Sequence, residues 1–124
     1  MKMTTRDVAR PHRKDEYRLS FASRDAEKGW TDLVATSRNA AADAWEFLAK
    51  TPTAEDGTRC YRLNGRLSTV TINDIDYQRW QYKPTRAGRI WYIVTAPTNR
   101  SEAGTVLLER VTTGHPNETV KQHR

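Results

Sequence analysis

The sequence predicts an α+β fold: an antiparallel sheet of about four strands with a helical hairpin packed on one face. Three observations point there. Two adjoining segments in the first half repeat apolar residues at helical spacing, so each has one apolar face to bury. The second half instead alternates apolar and polar residues in short runs separated by turn formers. The chain has 124 residues, enough for one domain around one modest core, so helices and strands must share it.

Residues 1–16 show no periodicity and carry Pro11 among charges, which reads as a flexible basic arm ahead of a single domain spanning 17–124. Residues 17–22 alternate and form the first strand. Ser23 is an expected helix N-cap, because its hydroxyl can take up an orphan backbone N–H, and Asp25 and Glu27 sit where the helix dipole favours acids. Ala26, Trp30, Leu33, Val34 and Ser37 follow along one helical face. Asn39 is an expected second N-cap, and Ala41, Ala44, Trp45 and Leu48 line the face of a second helix. That helix stops before Pro52, whose ring disfavours helical backbone at Thr51. After a loop containing Gly57, strands are expected over 59–63, 67–72, 75–82, 89–95 and 105–111, with Asn73-Asp74 as a two-residue hairpin turn. Residues 96–104 form a hairpin loop, and the polar stretch 114–124 is a tail or one helical turn. The order is β-α-α-β-β-β or one strand more.

Composition narrows the function classes. No apolar run approaches the ~20 residues that span a bilayer, so no membrane partner is expected. The N-terminal charges are not followed by an apolar signal region, and the single cysteine, Cys60, cannot form an internal disulfide, so a cytoplasmic protein is expected. The net charge of +6 is uneven: residues 59–113 carry +5, residues 23–57 carry −3 and residues 1–18 carry +3. A basic C-terminal half suits a polyanion or an acidic protein partner. One cysteine and three scattered histidines lack the spacing of a ligand set, so no metal and no cofactor is expected.

Within residues 89–95, strand alternation sends Ile90, Tyr92 and Val94 to one face and Arg89, Trp91, Ile93 and Thr95 to the other. The first set suits the helices. The second places Arg89 beside Trp91 on the uncovered face, where an arginine fork can bind phosphate and an aromatic can stack a base. The plainer alternative is a solvated arginine beside a packed tryptophan. On the preceding strand, Arg79, Gln81 and Lys83 share one face and Trp80 and Tyr82 the other; the register decides which set joins Arg89 and Trp91. His115 follows the last strand after Gly114, and the ordinary histidine pKa of about 6.5 suits proton transfer near neutral pH. Glu109 and Arg110 end that strand and either reach the uncovered face or pair with neighbours.

The element order, the small size and the basic sheet resemble the RelE/ParE-type toxins of bacterial type II toxin–antitoxin systems. Gly88-Arg89-Ile90-Trp91-Tyr92-Ile93-Val94 is similar to the family's arginine-led strand, Val111-Thr112-Thr113-Gly114-His115-Pro116 to its terminal active-site segment, and Arg59-Cys60-Tyr61-Arg62-Leu63 to its short strand after the helices. The resemblance covers most of the chain from Tyr17 onward. It implies a metal-free endoribonuclease that cuts messenger RNA on the ribosome and is neutralised by a cognate antitoxin. Arg89 would stabilise the charge on phosphate, His115 would act as general acid or base as in the YoeB- and HigB-like members, and Lys83 would be a phosphate ligand or base. Trp91 would stack on a nucleotide, and Arg62, Arg79, Gln81, Tyr82 and Arg86 are the further expected RNA contacts. The chain departs from the pattern in Pro116, which stands where YoeB-like members have an aromatic, in the longer first hairpin at 68–77, and in the arm before Tyr17. A ParE-like inhibitor of DNA gyrase and a non-catalytic nucleic-acid-binding module are the competing readings.

Overall fold

The computed structural model describes residues 6–98 and 102–114. The elements follow as β1 (Tyr17–Phe21), α1 (Arg24–Thr36), α2 (Arg38–Lys50), β2 (Cys60–Arg62), a single 3-10 turn (Gly65–Leu67), β3 (Thr69–Ile72), β4 (Ile75–Gln78), β5 (Trp80–Tyr82), β6 (Arg89–Thr95) and β7 (Gly104–Thr112). The protein is α+β as expected, but the sheet differs from the expected one. It has five strands in the order β1-β7-β6-β5-β2, and it is mixed. β1 runs parallel to β7, while β2, β5, β6 and β7 form antiparallel neighbours. The reason is topological. The chain leaves β1 through the two helices, enters the sheet at its far edge with β2, and reverses at each later neighbour, so β7 returns in the direction of β1.

The expected long strand over 75–82 is interrupted at Arg79. Its first part pairs with β3 in a separate two-stranded ribbon, and its second part pairs with β2 and β6. The junction is held by the backbone N–H of Arg79 donating to Ser68 O at 2.7 Å and by the Gln78 side-chain amide. The ribbon closes on Asn73 and Asp74, both at positive φ (52° and 67°) as a two-residue hairpin turn requires.

Ser23 caps α1 as expected, its hydroxyl accepting from the Ala26 N–H at 3.1 Å. The second cap differs: Ser37, not Asn39, precedes α2, and no side chain bonds there. Ser37 also ends α1, donating its N–H to Leu33 O while its own carbonyl accepts from Ala41. One residue therefore turns the chain, and packing sets where α2 starts.

The core lies between the helices and one sheet face. Leu33, Ala41, Ala44 and Leu48 meet Cys60, Tyr82, Ile90, Tyr92, Val106, Leu108 and Val111. α1 approaches β7 so closely that a Cβ on Gly29 would collide with the Val111 carbonyl. Tyr92 is fully buried, and its hydroxyl donates to Pro52 O at 2.6 Å. Burial drives its pKa up, so it stays a neutral donor.

The arm is attached where it meets the domain. The Arg10 guanidinium forms two hydrogen bonds to Glu16, at 3.0 and 2.8 Å, and lies 4.8 Å from the Trp45 ring, which also meets His12. Glu16 is only 1% exposed. Its bonds from Arg10 and from the Arg13 N–H hold its carboxyl down at about 2.

Candidate nucleic-acid interface

The face of the sheet turned away from the helices carries Tyr61, Gln81, Trp91, Ile93, Leu107 and the Glu109–Arg110 pair. It is uncovered only in part. Ile93 is fully buried without belonging to the main core, because β4 of the ribbon lies against β6 there. The opposite end of β6, where Arg89 sits, remains outside that cover.

The register decides the question left open by alternation. Gln81 pairs with Trp91 and Tyr82 with Ile90, so Gln81 shares the face of Trp91, while Tyr82 turns to the helices. Tyr82 is 4% exposed and stacks on Phe47 with ring centroids 4.7 Å apart. The expectation that Tyr82 contacts RNA is thus corrected: an apolar face adjoining the helices claims it for the core. Trp80, its neighbour on that face, is half-buried against the same core.

A chain of hydrogen bonds crosses three neighbouring strands, from β6 through β5 to the edge strand β2. The Trp91 indole N–H donates to Gln81 Oε1 at 2.6 Å, and Gln81 Nε2 donates to the Tyr61 hydroxyl at 2.6 Å. Because Gln81 both accepts and donates, its amide orientation is settled by its partners. Two guanidiniums lie over the Trp91 ring, Arg79 at 5.9 Å and Arg110 at 5.6 Å. Arg79 is held there by a two-point bond to Glu109, at 2.8 and 3.2 Å. That bond raises its pKa further and spends its Nε–Nη2 edge. Register shifts between Trp91 and Tyr92 give β7 one extra residue, so Glu109 and Arg110 both sit near one tryptophan. Trp91 is therefore a support for cations, and a base stacking on it would have to share its ring with them.

The turn between β5 and β6 gathers Lys83, Arg86 and Arg89. Its backbone is fixed from two sides. Arg59 donates to the carbonyls of Lys83 and Pro84 at 3.1 and 3.3 Å, and the Gly88 N–H donates to Thr85 Oγ1 at 2.8 Å. Arg89 folds Nη1 back onto the Arg86 and Gly88 carbonyls, at 2.8 and 2.7 Å. Both Nη1 protons are thereby used. The Nε and Nη2 protons have no partner among the described residues, and this edge of the guanidinium matches two oxygens of a phosphate. The Lys83 ammonium lies 5.3 Å from the Tyr61 ring. None of Lys83, Arg86 and Arg89 forms an ion pair with a carboxylate among the described residues, whereas Arg10, Arg18, Lys50, Arg62 and Arg79 do.

Gly114, at φ 78°, ends the described chain against Ala87, so close that a Cβ would meet the Ala87 side chain and carbonyl. His115 is the next residue in the sequence and lies outside the described residues. Arg62 stands apart from the cation turn. It lies on edge strand β2, paired with Glu55 at 3.0 Å. Among the described residues no group of three or more His, Cys, Asp and Glu side chains could hold a metal ion, and no helix is long and apolar enough to cross a membrane.

Alternation grouped Arg89 with Trp91 and Gln81 with Lys83 and left open whether the two pairs share a face, which the β5–β6 register decides; it did not nominate Tyr61 or Arg59. Tyr61 could have been found by applying the same alternation to β2, since its neighbour Cys60 is a core residue. Arg59 acts through its reach to two carbonyls across the turn, for which no local pattern exists. Set against known proteins, the chain matches no family model, and no curated protein gives a significant match.

Proposed function

We propose that this protein is the toxin of a type II toxin–antitoxin pair, a RelE-like endoribonuclease that cuts messenger RNA, on the ribosome, and is silenced by a cognate antitoxin. The observation that carries the reading is the β5–β6 turn. There Lys83, Arg86 and Arg89 have no carboxylate partner among the described residues. Lys83 lies 5.3 Å from the Tyr61 ring, and the Nε–Nη2 edge of Arg89, with no partner among the described residues, suits a phosphate. The β-α-α-β opening, the sheet that follows it and the sequence motifs at 59–63, 88–94 and 111–116 support the RelE-like assignment.

In the proposed reaction a ribose 2′-hydroxyl gives up its proton and attacks the adjacent phosphorus. The P–O5′ bond breaks, and the 5′-oxygen leaves with a proton supplied to it. The products are a 2′,3′-cyclic phosphate and a 5′-hydroxyl end, with no cofactor consumed. Arg89 neutralises the charge that grows on the non-bridging oxygens through two parallel hydrogen bonds, an effect worth about 10²–10³ in rate when a comparable donor is removed. Lys83 adds a second cation, and His115 gives or takes the proton. The antitoxin, in this reading, brings acidic groups to the same cations.

The test is sequencing of 5′-hydroxyl RNA ends after brief induction in bacteria, with wild type beside Arg89→Ala and His115→Ala. New cuts within translated messages are expected for the wild type and a loss of about 100-fold or more in Arg89→Ala, with folding unchanged. Absence of new cuts together with growth arrest and a DNA-damage response would assign gyrase inhibition instead. Absence of both would leave a nucleic-acid-binding module.

A further inference from the structure

We infer that the cleft beside edge strand β2 is a base-binding subsite, which takes the base of a nucleotide flanking the scissile phosphate of single-stranded RNA. The inference rests on the RNA reading above and extends it past Tyr61 to the residues at the foot of the ribbon, to which that reading gives no role. The cleft has a volume of about 730 Å³ and lies between β2 and the foot of the β3–β4 ribbon, lined by Tyr61, Arg62, Asn64, Gly65, Ser68 and Gln78 among others.

Tyr61 joins the cleft to the cation turn. It lines the cleft, and its ring lies 5.3 Å from the Lys83 ammonium. Its hydroxyl accepts from Gln81 Nε2 at 2.6 Å, which leaves the hydroxyl proton for an outside acceptor. A strand whose phosphate meets Lys83 and Arg89 can therefore place the neighbouring nucleotide against the tyrosine.

The lining favours a base over a second phosphate. Arg62 donates through Nε to Glu55 Oε1 at 3.1 Å, with Nη2 in ion-pair contact with the same oxygen at 3.0 Å, and its backbone N–H donates to the other carboxylate oxygen at 3.0 Å. The one cation of the cleft is thus neutralised by its one acid, and a phosphate gains no net attraction there. A neutral base needs oriented donors and acceptors instead. Gln78 supplies one. Its Nε2 donates to the carbonyls of Leu63, Ser68 and Arg79, at 3.2, 2.8 and 2.9 Å. Three acceptors around one amide end fix which end is nitrogen, so Oε1 is held as an acceptor, and it has no partner among the described residues. Such an oxygen pairs with the exocyclic amino group of adenine, cytosine or guanine, which uracil lacks. The exposed Asn64 amide adds both a donor and an acceptor. Gly65, at φ 68°, has nothing within 4 Å of where a Cβ would stand, so the cleft mouth is open for lack of a side chain.

The test measures fluorescence anisotropy of uncleavable 2′-O-methyl hexamers of A, C and U on the full chain. The variants are Asn64→Ala, Gly65→Asn and Lys83→Ala. Asparagine tolerates the left-handed backbone at position 65 and fills the mouth. The wild type is expected to bind the A and C hexamers about fivefold or more tighter than U. Gly65→Asn should weaken the A hexamer about tenfold and erase the preference, and Asn64→Ala should weaken the A hexamer about fivefold or more, both at an unchanged melting temperature. Lys83→Ala should weaken all three hexamers alike. Wild-type binding and preference in Gly65→Asn, or no discrimination against U in the wild type, would overturn the subsite. If Lys83→Ala still lost affinity in that case, the RNA reading would survive it. If no hexamer bound the wild type, the RNA reading would fall and the subsite with it.

Discussion

At the scale of single residues, the site is organised by groups that would not touch the phosphate. Gln81 is 8% exposed and links Trp91 to Tyr61 through two 2.6 Å bonds. Replacing it by leucine leaves an indole N–H without its acceptor and a hydroxyl without its donor, so Gln81→Leu should cost about 1–2 kcal/mol in urea unfolding. Two carboxylates dominate the acid response. Glu16 is held down to about 2 by the bonds from Arg10 and from the Arg13 N–H, and Asp56 to about 2 by the backbone N–H groups of Cys60, Thr58 and Arg59. In each case the folded pKa lies below the ordinary carboxylate value, so at pH between the two values the unfolded chain binds more protons. The stability they contribute is complete above about pH 4.5 and is lost as the pH falls through about 2. Unfolding midpoints should drop over that window, and the drop should be smaller in Glu16→Gln and Asp56→Asn. Arg89 and Trp91 could be read from alternation alone; the Arg79–Glu109 pair could not, since 30 residues separate its members and a bulge brings Glu109 into reach.

At the scale of elements, α1 shows how closely helix and strand must meet. Glycine inside a helix ordinarily costs about 1 kcal/mol relative to alanine, so Gly→Ala at an open site stabilises. At Gly29 the added methyl would strike the Val111 carbonyl. Gly29→Ala is therefore expected to destabilise by about 2–3 kcal/mol, a cost of forcing an overpacked contact apart, and thermal unfolding reads the sign directly. The helices themselves were legible: apolar spacing and the Ser23 cap mark α1, and Pro52 marks the end of α2. The start of α2 was not, because Asn39 has the chemistry of a cap while the packing of Ala41, Ala44 and Leu48 starts the helix at Arg38. The run 75–82 reads as one strand, since alternation continues through Arg79. At the division between the two sheets Arg79 is held by Ser68, Leu63 and the Gln78 side chain, contacts that alternation does not show.

At the scale of the whole molecule, charge and topology act together. Acidic residues concentrate in the helical segment and basic ones after it, so the two faces of the sheet differ in sign of neighbourhood as well as in cover. The sequence by itself determined the α+β class, the helical hairpin, the turn at Asn73-Asp74 and the alternation that separates Arg89 and Trp91 from Ile90 and Tyr92. These are local properties, set by period, capping and turn chemistry within a few residues. Only the tertiary structure decided that β1 lies parallel to β7, that Tyr82 is core while Gln81 joins Trp91, that the ribbon covers Ile93, and that Arg59, Tyr61 and Glu109 support the cations. Those outcomes depend on strand register and on contacts between distant segments. The free energy of such contacts is shared by the whole core and leaves no mark in any short stretch of sequence.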